Sequence, residues 1–416
     1  MIWDPDSLAP PPEDQLEQIE ASIQLHSKDF RVQENYRFAH LWDRNRGLPG
    51  WRKVPARRWI QAHVKILHKD NERGMVYLVP NFGQRRLEAG RLWMIRHGMP
   101  VRIIILKPRR IGFSTYVEGL AFEHCVRGEN KHAQVIAHRK DISRKVLAMM
   151  KGMVRHLQRL DGTKWDLAID GSRHEIRIGE PIHSTIDTDS AEVEEPGHGD
   201  TSTFLHLTET SRWKDAERKA KGLLSTVAKY PGTEIYNEST ANGDTGWYRN
   251  LFWAAWNAQN DGYVHESGNV AIFVAWWEHH EYRWSQQQGR GEYLPGYLPQ
   301  DLMERIRDTL TPDEEALIER FGLDFDQLWW RRQTCAQDLG GDWDEFMEQY
   351  PADPDEAFKA SGRPFFNLDR IRLLSRALPD PVMTGTLIDM DNTQPIIPIR
   401  PSDRSNRLVQ RSPRKL

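Results

Sequence analysis

The stretch VRIIILKPRRIGFST, residues 101–115, decides the fold class. Its first six residues form an almost continuous apolar run bounded by prolines, which is typical of a strand buried on both faces of a parallel sheet. The residues from Ser114 onward are compatible with a helix. A second buried strand, AQVIA at 133–137, and a second helix through about Leu157 follow. This order of strand, glycine-containing loop, helix, strand and helix predicts an α/β domain with parallel strands.

The loop in this stretch has a sequence similar to that of a phosphate-binding loop, but some of the expected residues stand at different positions. The usual pattern, G-x-x-x-x-G-K-[ST], holds phosphates with backbone N–H groups and one lysine, and magnesium with the hydroxyl. Gly112 and Ser114 take their usual places, but Phe113 stands at the lysine position and Lys107 at the first glycine position. A strand-to-helix loop favours anions, and a flexible lysine at its start can reach the same phosphates. A basic turn whose glycine relieves a bend is the alternative.

Two further strand ends carry polar side chains. TFLHLTE (203–209) is an apolar run closed by Thr208 and Glu209, where a nucleotide-hydrolysing site usually places Asp-Glu. Threonine can hold a magnesium-bound water but brings no charge, so we expect Glu209 to orient and activate the attacking water. An ordinary strand ending in a solvated glutamate is the alternative. GTEIYNESTANG (232–243) predicts a strand and a small-polar turn that can face a γ-phosphate, or simply a plain turn.

Together and in this order, LKPRRIGFST, HLTE and STANG resemble motifs of the large subunit of tailed-phage terminases, the ATPase motor that packs DNA into procapsids. That family uses LK-x-R-Q-x-G-x-S-T with an early lysine, a strand ending in His-Leu-Ser/Thr-Glu, and S-T-A-N-G as a coupling motif. Its glutamine-centred adenine motif is similar to PNFGQRRL (80–87), which contains Gln84. WWEHHEYR (276–283) and YPADPDEAFKASGRPFF (350–366) also resemble the family, so the resemblance covers about residues 50–370.

The resemblance implies an α/β fold of the additional-strand (ASCE) P-loop NTPase type, with a central, mostly parallel sheet flanked by helices. It implies ATP and Mg²⁺ as cofactors. The implied nucleotide-binding residues are Gln84, Lys107, Arg109, Arg110, Gly112, Phe113, Ser114 and Thr115. The implied catalytic residues are Lys107 and Glu209, the implied magnesium-holding residues are Ser114 and Thr208, and the implied coupling residues are Ser239, Thr240 and Asn242, the last as γ-phosphate sensor.

The chain departs from the family pattern in its arginines. Arg110 replaces the glutamine common in the family's loop, and GHG (197–199) stands where many relatives carry an arginine in a glycine-flanked turn. If that arginine acts on a neighbouring subunit's nucleotide, His198 is a weaker substitute at neutral pH. Such an arginine finger is worth roughly 10³ to 10⁵ in rate, so another arginine should serve. Arg212 and Arg139 are the candidates.

Composition sets the domain organisation and the compartment. The chain has 416 residues and a formal net charge of −3, which allows one large or two ordinary domains and gives no global attraction to nucleic acid or membrane. The apolar runs are too short to span a bilayer, and two cysteines cannot build a disulfide framework. We therefore expect a reducing cytosol, and the resemblance implies that this is the cytoplasm of a phage host. We expect a helical and irregular lead-in at 1–60, the P-loop ATPase domain at 61–365, and a linker with a basic, disordered tail at 366–416.

Apart from the nucleotide-bound Mg²⁺, no acidic or histidine cluster in the sequence indicates another metal site. Terminase large subunits normally carry an RNase H-like nuclease domain, and this sequence stops at 416, about where that domain should begin. Asp389 and Asp391 are a close acidic pair near the C-terminus, but two metals need about three or more well-placed carboxylates. We therefore expect no nuclease activity from this chain and leave open a separate nuclease chain. The adjacent histidines 279 and 280 lack the i, i+4 spacing of a zinc helix.

The resulting hypothesis is an ATP-hydrolysing motor subunit that translocates double-stranded DNA into a viral procapsid. The resemblance implies double-stranded DNA, a portal protein and a small terminase subunit as partners, a homo-oligomeric ring, and no membrane. A RecA-like helicase or translocase is the first alternative, and it would need a second RecA-like half that we do not find in the sequence. A catalytically inactive nucleotide-binding scaffold is the other, favoured by Phe113, Thr208 and His198 together.

Overall fold

The computed structural model describes residues 56–68, 74–157, 169–171, 174–180, 182–197, 201–284, 298–358, 387–388 and 395–397. The chain divides into two compact units, Met1–Ser361 and Gly362–Leu416. His198, Asp389 and Asp391 lie outside the described residues, as does most of the expected lead-in and of the basic tail.

Short strands and helices alternate along the first unit. The strands are β1 (Lys65–Leu67), β2 (Met75–Tyr77), β3 (Val101–Leu106), β4 (His132–Ala137), β5 (Ile169–Gly171), β6 (Glu175–Ile178), β7 (Ser184–Ser190), β8 (Phe204–Thr208), β9 (Glu234–Ser239) and β10 (Val270–Phe273). The helices are α1 (Ala56–His63), α2 (Phe82–Arg96), α3 (Phe113–Arg127), α4 (Lys140–His156), α5 (Ala216–Ser225), α6 (Trp247–Asn260), α7 (Gln300–Asp308), α8 (Pro312–Phe321), α9 (Phe325–Asp338), α10 (Trp343–Gln349) and α11 (Pro354–Ala357). In the second unit, β11 (Leu387–Ile388) pairs antiparallel with β12 (Pro395–Ile397). No helix among the described residues is long and apolar enough to cross a bilayer.

An eight-stranded sheet in the order β10-β3-β9-β8-β4-β7-β6-β5 forms the centre of the first unit. The strands from β10 to β7 are parallel, whereas β6 and β5 continue the sheet antiparallel. β9 lies between β3 and β8 and pairs with both. This inserted strand separates the strand before the KPRRIGFST loop from the strand that ends in HLT. The order is that of an additional-strand P-loop NTPase, which confirms the expected fold class.

Burial on both faces explains why β3 is apolar almost throughout. All six of its residues are buried. Ile103 and Ile105 belong to the core cluster that includes residues of α2, α3 and α4, whereas Ile104 and Leu106 pack with Phe252 of α6. Helices therefore cover both faces of the sheet, and the strand needs apolar side chains in both directions.

Local interactions set the starts of two helices, and α3 starts one residue before the Ser114 that the sequence indicates. α2 begins at Phe82 because Asn81 caps it: the Asn81 side chain accepts the Gln84 N–H, and the Gln84 side chain accepts the Asn81 N–H. This capping box satisfies two free amides of the first turn. α3 begins at Phe113, directly after Gly112, whose φ of 76° is left-handed and favours glycine. Both starts face the loop that follows β3.

An aromatic cluster holds the helices that follow β10 against the sheet. Trp276 and Trp330 are buried and stacked, with ring centroids 5.3 Å apart, and Tyr282 stacks on Trp330 at 4.6 Å. Trp277 and Trp329 are partly buried. Trp276 and Trp330 therefore lie in the core.

Candidate active site

The loop between β3 and α3 opens into a cavity of ≈ 1020 Å³. Lys107, Gly112, Ser114 and Thr115 line the cavity, and so does Glu209 at the end of β8. The loop connects the carboxyl end of a central parallel strand to a helix N-terminus, where free amides and the helix dipole favour a negative charge. The geometry therefore suits a phosphate group.

Lys107 lies where three strand ends meet. Its Nζ is 2.9 Å from Glu209 Oε1 and 3.0 Å from Glu238 Oε2, and the residue is almost completely buried. Burial alone would lower the pKa of Lys107, but the two carboxylates outweigh this effect and raise it above its ordinary value. The displaced lysine is therefore charged and within reach of the cavity that the loop forms.

Glu209 is the carboxylate that the cavity exposes at the end of β8. Its side chain is 21% exposed, and its Oε2 accepts hydrogen bonds from Ser239 Oγ at 3.3 Å and Thr240 Oγ1 at 3.4 Å. Its backbone is left-handed, with φ of 56°, and its N–H donates to the carbonyl of Glu238 at 2.7 Å. The left-handed turn ends the strand and directs the chain away from the sheet at this point. Glu209 thus connects Lys107 with the polar turn after β9.

Glu238 is a functional candidate that the sequence reading missed. It is fully buried on β9, and its Oε1 accepts hydrogen bonds from Ser114 Oγ and Thr208 Oγ1, both at 2.6 Å. Burial would raise its pKa, but Lys107 and His206 outweigh this effect and hold the pKa well below its usual range. The available signal was the strand sequence EIYNES, which is unusually polar for a strand with six buried residues.

A buried histidine continues this set of charges into the core. His206 Nδ1 is 2.9 Å from Glu118 Oε1, and His206 Nε2 is 3.5 Å from Glu238 Oε1. Burial alone would lower the pKa of His206, but Glu118 and Glu238 raise it to about 9. The row Glu118, His206, Glu238, Lys107 and Glu209 therefore alternates in formal charge sign from the core to the cavity.

Gln84 and Phe113 both line the cavity, and their side chains make contacts that the motif comparison does not indicate. Gln84 donates from Nε2 to the Gly112 carbonyl at 2.7 Å, and its Oε1 accepts the Asn81 N–H at 2.9 Å. One Nε2 hydrogen is left for an adenine edge, so adenine recognition by Gln84 stays a prediction. The Phe113 side chain is buried in the core cluster, and only its backbone is suited to bind phosphate.

The two arginines of the loop are exposed, and the loop is held from the other side. Arg109 donates its backbone N–H to the Gln349 carbonyl at 3.0 Å, and its guanidinium donates to the Gln349 side chain. The Tyr282 hydroxyl donates to the Arg109 carbonyl. Arg110 has a left-handed backbone, with φ of 56°. The loop therefore presents two exposed cations from a backbone that α10 and the aromatic cluster hold in place.

The residues of the polar turn after β9 lie at two different cavities. Ser239 and Thr240 are buried and reach Glu209, as described above. Asn242 is exposed, donates from Nδ2 to the Ser211 carbonyl at 3.0 Å, and lines a second cavity of ≈ 630 Å³ next to Trp213. Direct contact between Asn242 and a γ-phosphate stays a prediction.

The two arginine-finger candidates differ in their surroundings. Arg212 Nε lies 3.9 Å from Glu209 Oε2, and its side chain is 40% exposed. Arg139 makes two hydrogen bonds of 2.8 Å with Asp141 near the start of α4. Arg212 is therefore the candidate close to the cavity.

Two further walls of the cavity come from outside the phosphate loop and the HLTE and STANG stretches. One is the β1–β2 region, whose rim includes the exposed apolar side chains of Leu67 and Val79. The other is the segment with His279, His280 and Glu281. Across the described part of the chain, no group of three or more His, Cys, Asp or Glu side chains is arranged to hold a metal ion by itself. An apolar rim above a phosphate loop suits the flat face of a base.

Comparisons with known proteins find similarity at the level of the backbone fold. No protein-family model matches the chain, and no curated protein matches it. Its fold is similar to that of the large terminase of the HK97 bacteriophage, with 15% identity and a TM-score of 0.42 over 64% of this chain and 53% of that one. It is similar to the ATPase domain of the large terminase of Thermus phage P74-26, with 15% identity and a TM-score of 0.41 over 69% and 98% of the two chains. A third similar structure is the large terminase of the thermophilic bacteriophage D6E, with 10% identity and a TM-score of 0.32 over 52% and 46%. The match thus spans about half of the HK97 protein.

Proposed function

We propose that this chain is an ATP-hydrolysing motor subunit that translocates double-stranded DNA into a viral procapsid. The observation that carries the proposal is the meeting of Lys107 and Glu209 at one cavity, from the ends of β3 and β8 on either side of β9. An additional-strand P-loop fold that hydrolyses ATP needs a cation for the phosphates and a carboxylate for the water at these two strand ends.

Glu209 and Lys107 have different roles in the proposed hydrolysis of ATP. The water oxygen attacks the γ-phosphorus, the bond between this phosphorus and the β,γ-bridging oxygen breaks, and Glu209 accepts the proton of the water. Lys107 and the amides at the start of α3 stabilise the negative charge that develops on the phosphate oxygens. Because Lys107 is bound to Glu209 in this structure, binding of the phosphates would exchange that partner for a phosphate oxygen.

The residues also fit a nucleotide-bound Mg²⁺. Ser114 Oγ lines the cavity next to the loop amides, and Glu238 Oε2 is a buried carboxylate oxygen that accepts no well-aligned hydrogen bond among the described residues, although Lys107 Nζ is 3.0 Å away. Hydroxyl and carboxylate oxygens are the donors that Mg²⁺ prefers. When bound, the ion neutralises charge on the β- and γ-phosphates.

The partners follow from the same proposal. Double-stranded DNA, a portal protein and a small terminase subunit would be the partners, with a homo-oligomeric ring as the working form and the host cytoplasm as its location. Arg212 is exposed near Glu209, so it is a candidate for reaching a nucleotide on an adjacent subunit of a ring.

The decisive experiment measures phosphate release by the purified chain with no DNA, with single-stranded DNA and with linear double-stranded DNA. Hydrolysis that double-stranded DNA stimulates, and that Glu209→Gln abolishes, supports the proposal. Glu217→Gln is the matched control, because Glu217 is an exposed glutamate that pairs with Lys221 on α5. ATP binding without hydrolysis under all three conditions would contradict the proposal and indicate an inactive scaffold.

A second assay separates a packaging-type translocase from a helicase. A motor that moves along intact double-stranded DNA displaces a third strand bound in the major groove but leaves the duplex paired. A helicase separates the duplex itself. Strand separation by this chain, with stimulation by single-stranded DNA, would favour the RecA-like alternative.

A further inference from the structure

Glu238 lies beside Thr208, the residue that stands where related sites usually have an aspartate. Thr208 stands in the place of the aspartate that commonly precedes the catalytic glutamate, and it brings no charge. Thr208 and Glu238 are direct neighbours in the parallel pairing of β8 and β9. The Thr208 hydroxyl donates to Glu238 Oε1 at 2.6 Å. The missing charge is therefore present one strand away, at the same level of the sheet.

The contact between Ser114 and Glu238 fixes the direction of the serine hydroxyl. A hydroxyl has one hydrogen to donate and two lone pairs to offer. Ser114 donates that hydrogen to Glu238 Oε1 at 2.6 Å, so its lone pairs are directed away from Glu238. Ser114 also lines the cavity, whereas Glu238 is fully buried beneath it. Glu238 thus holds the serine oxygen ready to accept a cation.

A purely structural ion pair is a weaker account of Glu238. Burying a carboxylate costs several kcal/mol of desolvation, and apolar residues of similar volume often replace buried ion pairs without loss of stability. Here one carboxylate contacts the loop lysine, the loop serine and the threonine of the neighbouring strand. Two of these three residues line the cavity, so the contacts gather at the site and not in the general core.

We propose that Glu238 replaces the absent aspartate of the neighbouring strand: it orients Ser114 as a ligand for nucleotide-bound Mg²⁺ and supplies the negative charge that Thr208 lacks. This inference rests on the proposed function, because it assumes that the cavity binds a nucleotide with its metal. Glu238 is a positioning residue, since it acts through Ser114.

The test measures the affinity of the full chain for a fluorescent ATP analogue, with excess Mg²⁺ and with EDTA. The ratio of the two dissociation constants gives the affinity gained from the metal. Loss of a residue that orients a metal ligand typically costs about 10- to 100-fold in metal affinity. We expect Glu238→Gln to reduce the metal-dependent gain by about this factor and to leave affinity in EDTA unchanged or tighter. Thermal unfolding of each variant shows that it is folded.

Two further variants make the result specific. Thr208→Asp combined with Glu238→Gln returns the carboxylate to β8, and we expect it to restore most of the metal-dependent gain. In a Ser114→Ala background, Glu238→Gln should cause little additional loss, because the oriented ligand is already absent. Ser114→Ala alone keeps Glu238 in place, so its loss of metal-dependent gain can be measured even if Glu238→Gln is unstable.

The outcomes separate this inference from the proposed function. If wild-type protein gains affinity with Mg²⁺ and Glu238→Gln gains as much, Glu238 does not position the metal ligand, and the proposed ATPase function stands. Additive losses for Ser114→Ala and Glu238→Gln would also overturn the inference. If wild-type protein binds no nucleotide, the proposed function fails and this inference fails with it.

Discussion

Lys107 Nζ is 2.9 Å from Glu209 Oε1, so the residue expected to hold phosphates and the residue expected to activate water are bound to each other. The two side chains come from β3 and β8 and meet past the end of β9. Neither group can perform its proposed task fully while this ion pair persists, because the lysine lacks a phosphate and the carboxylate is partly neutralised. Phosphate binding should therefore break this pair before hydrolysis begins.

Lys107→Ala should abolish ATP turnover. Removing a preorganised donor to a developing anion usually costs about 10²- to 10³-fold in rate, and here the change removes the one lysine of the loop. Steady-state phosphate release is the measurement, with Lys221→Ala as the matched control because Lys221 is exposed on α5. Near-normal hydrolysis by Lys107→Ala would show that the motif is drawn in the wrong register.

The residue at the usual lysine position provides a second control for that register. If Lys107 does the work of the usual loop lysine, Phe113→Ala should leave turnover largely intact, but Phe113 is buried in the core, and Phe→Ala in a core costs about 3–5 kcal/mol. Phe113→Leu keeps most of the volume and the backbone amide. We expect this variant to retain turnover, with a lower melting temperature as the only clear effect.

Glu209→Gln should separate nucleotide binding from chemistry. The amide keeps the size of the side chain but cannot accept a proton from water, so hydrolysis should be at least about 10²-fold slower. ATP affinity should equal or exceed that of wild-type protein, because Lys107 loses one of its two carboxylate partners and becomes more available to phosphates. Equilibrium binding and single-turnover hydrolysis measure the two effects. Loss of binding in this variant would argue against a water-activating role.

Gln84→Ala should lower the preference for ATP over GTP if Gln84 contacts adenine. Loss of one hydrogen bond is worth about 1 kcal/mol, which is roughly a fivefold change in relative affinity. Asn81→Ala is the matched control, because Asn81 caps the same helix and donates to the Ile111 carbonyl at 2.8 Å. It should weaken ATP and GTP equally. Equal weakening by Gln84→Ala would mean that Gln84 only supports the loop.

A buried ion pair between α2 and β9 should make stability depend on acid pH. Arg91 donates to both carboxylate oxygens of Glu234, at 2.8 and 2.6 Å. Burial would raise the pKa of Glu234, but Arg91 lowers it to about 2, against an ordinary value of 4.5. Because the folded-state pKa is the lower one, this stabilisation is complete above about pH 4.5 and is lost as the pH falls toward 2.

Urea unfolding of Glu234→Gln between pH 7 and pH 2 tests this pair. The variant leaves Arg91 with a weakened set of partners, so it should be less stable at pH 7 by about 3–5 kcal/mol. Its stability should also fall less steeply than that of wild-type protein below pH 5. Parallel pH profiles for wild-type protein and Glu234→Gln would refute the assignment.

The central strands could be predicted from sequence because their pattern is local. VRIIIL corresponds to β3 at both ends, since a strand covered on both faces must be apolar in both directions. Glu238 could not be found in this way. Its importance depends on the pairing of β8 and β9 and on the approach of Ser114, which are contacts between segments far apart in the chain.

The positions of Gln84 and Phe113 show a second limit of motif comparison. A motif comparison matches residue types by their order in the sequence, whereas the direction of a side chain depends on where the helix begins. α3 starts at Phe113, and the side chain of this residue packs in the core cluster. Gln84 likewise donates one Nε2 hydrogen to the Gly112 carbonyl. This hydrogen bond depends on the position of α2 beside the loop, which the motif does not contain.

The left-handed backbone of Glu209 has a consequence for laboratory evolution. A non-glycine residue in this conformation costs about 1 kcal/mol, and glycine would relieve that cost. Variants selected only for heat resistance are therefore expected to accept glycine at position 209 and to lose the water-activating carboxylate without any sign of misfolding. Activity and thermal stability must be screened together, because at this residue the two properties favour different amino acids.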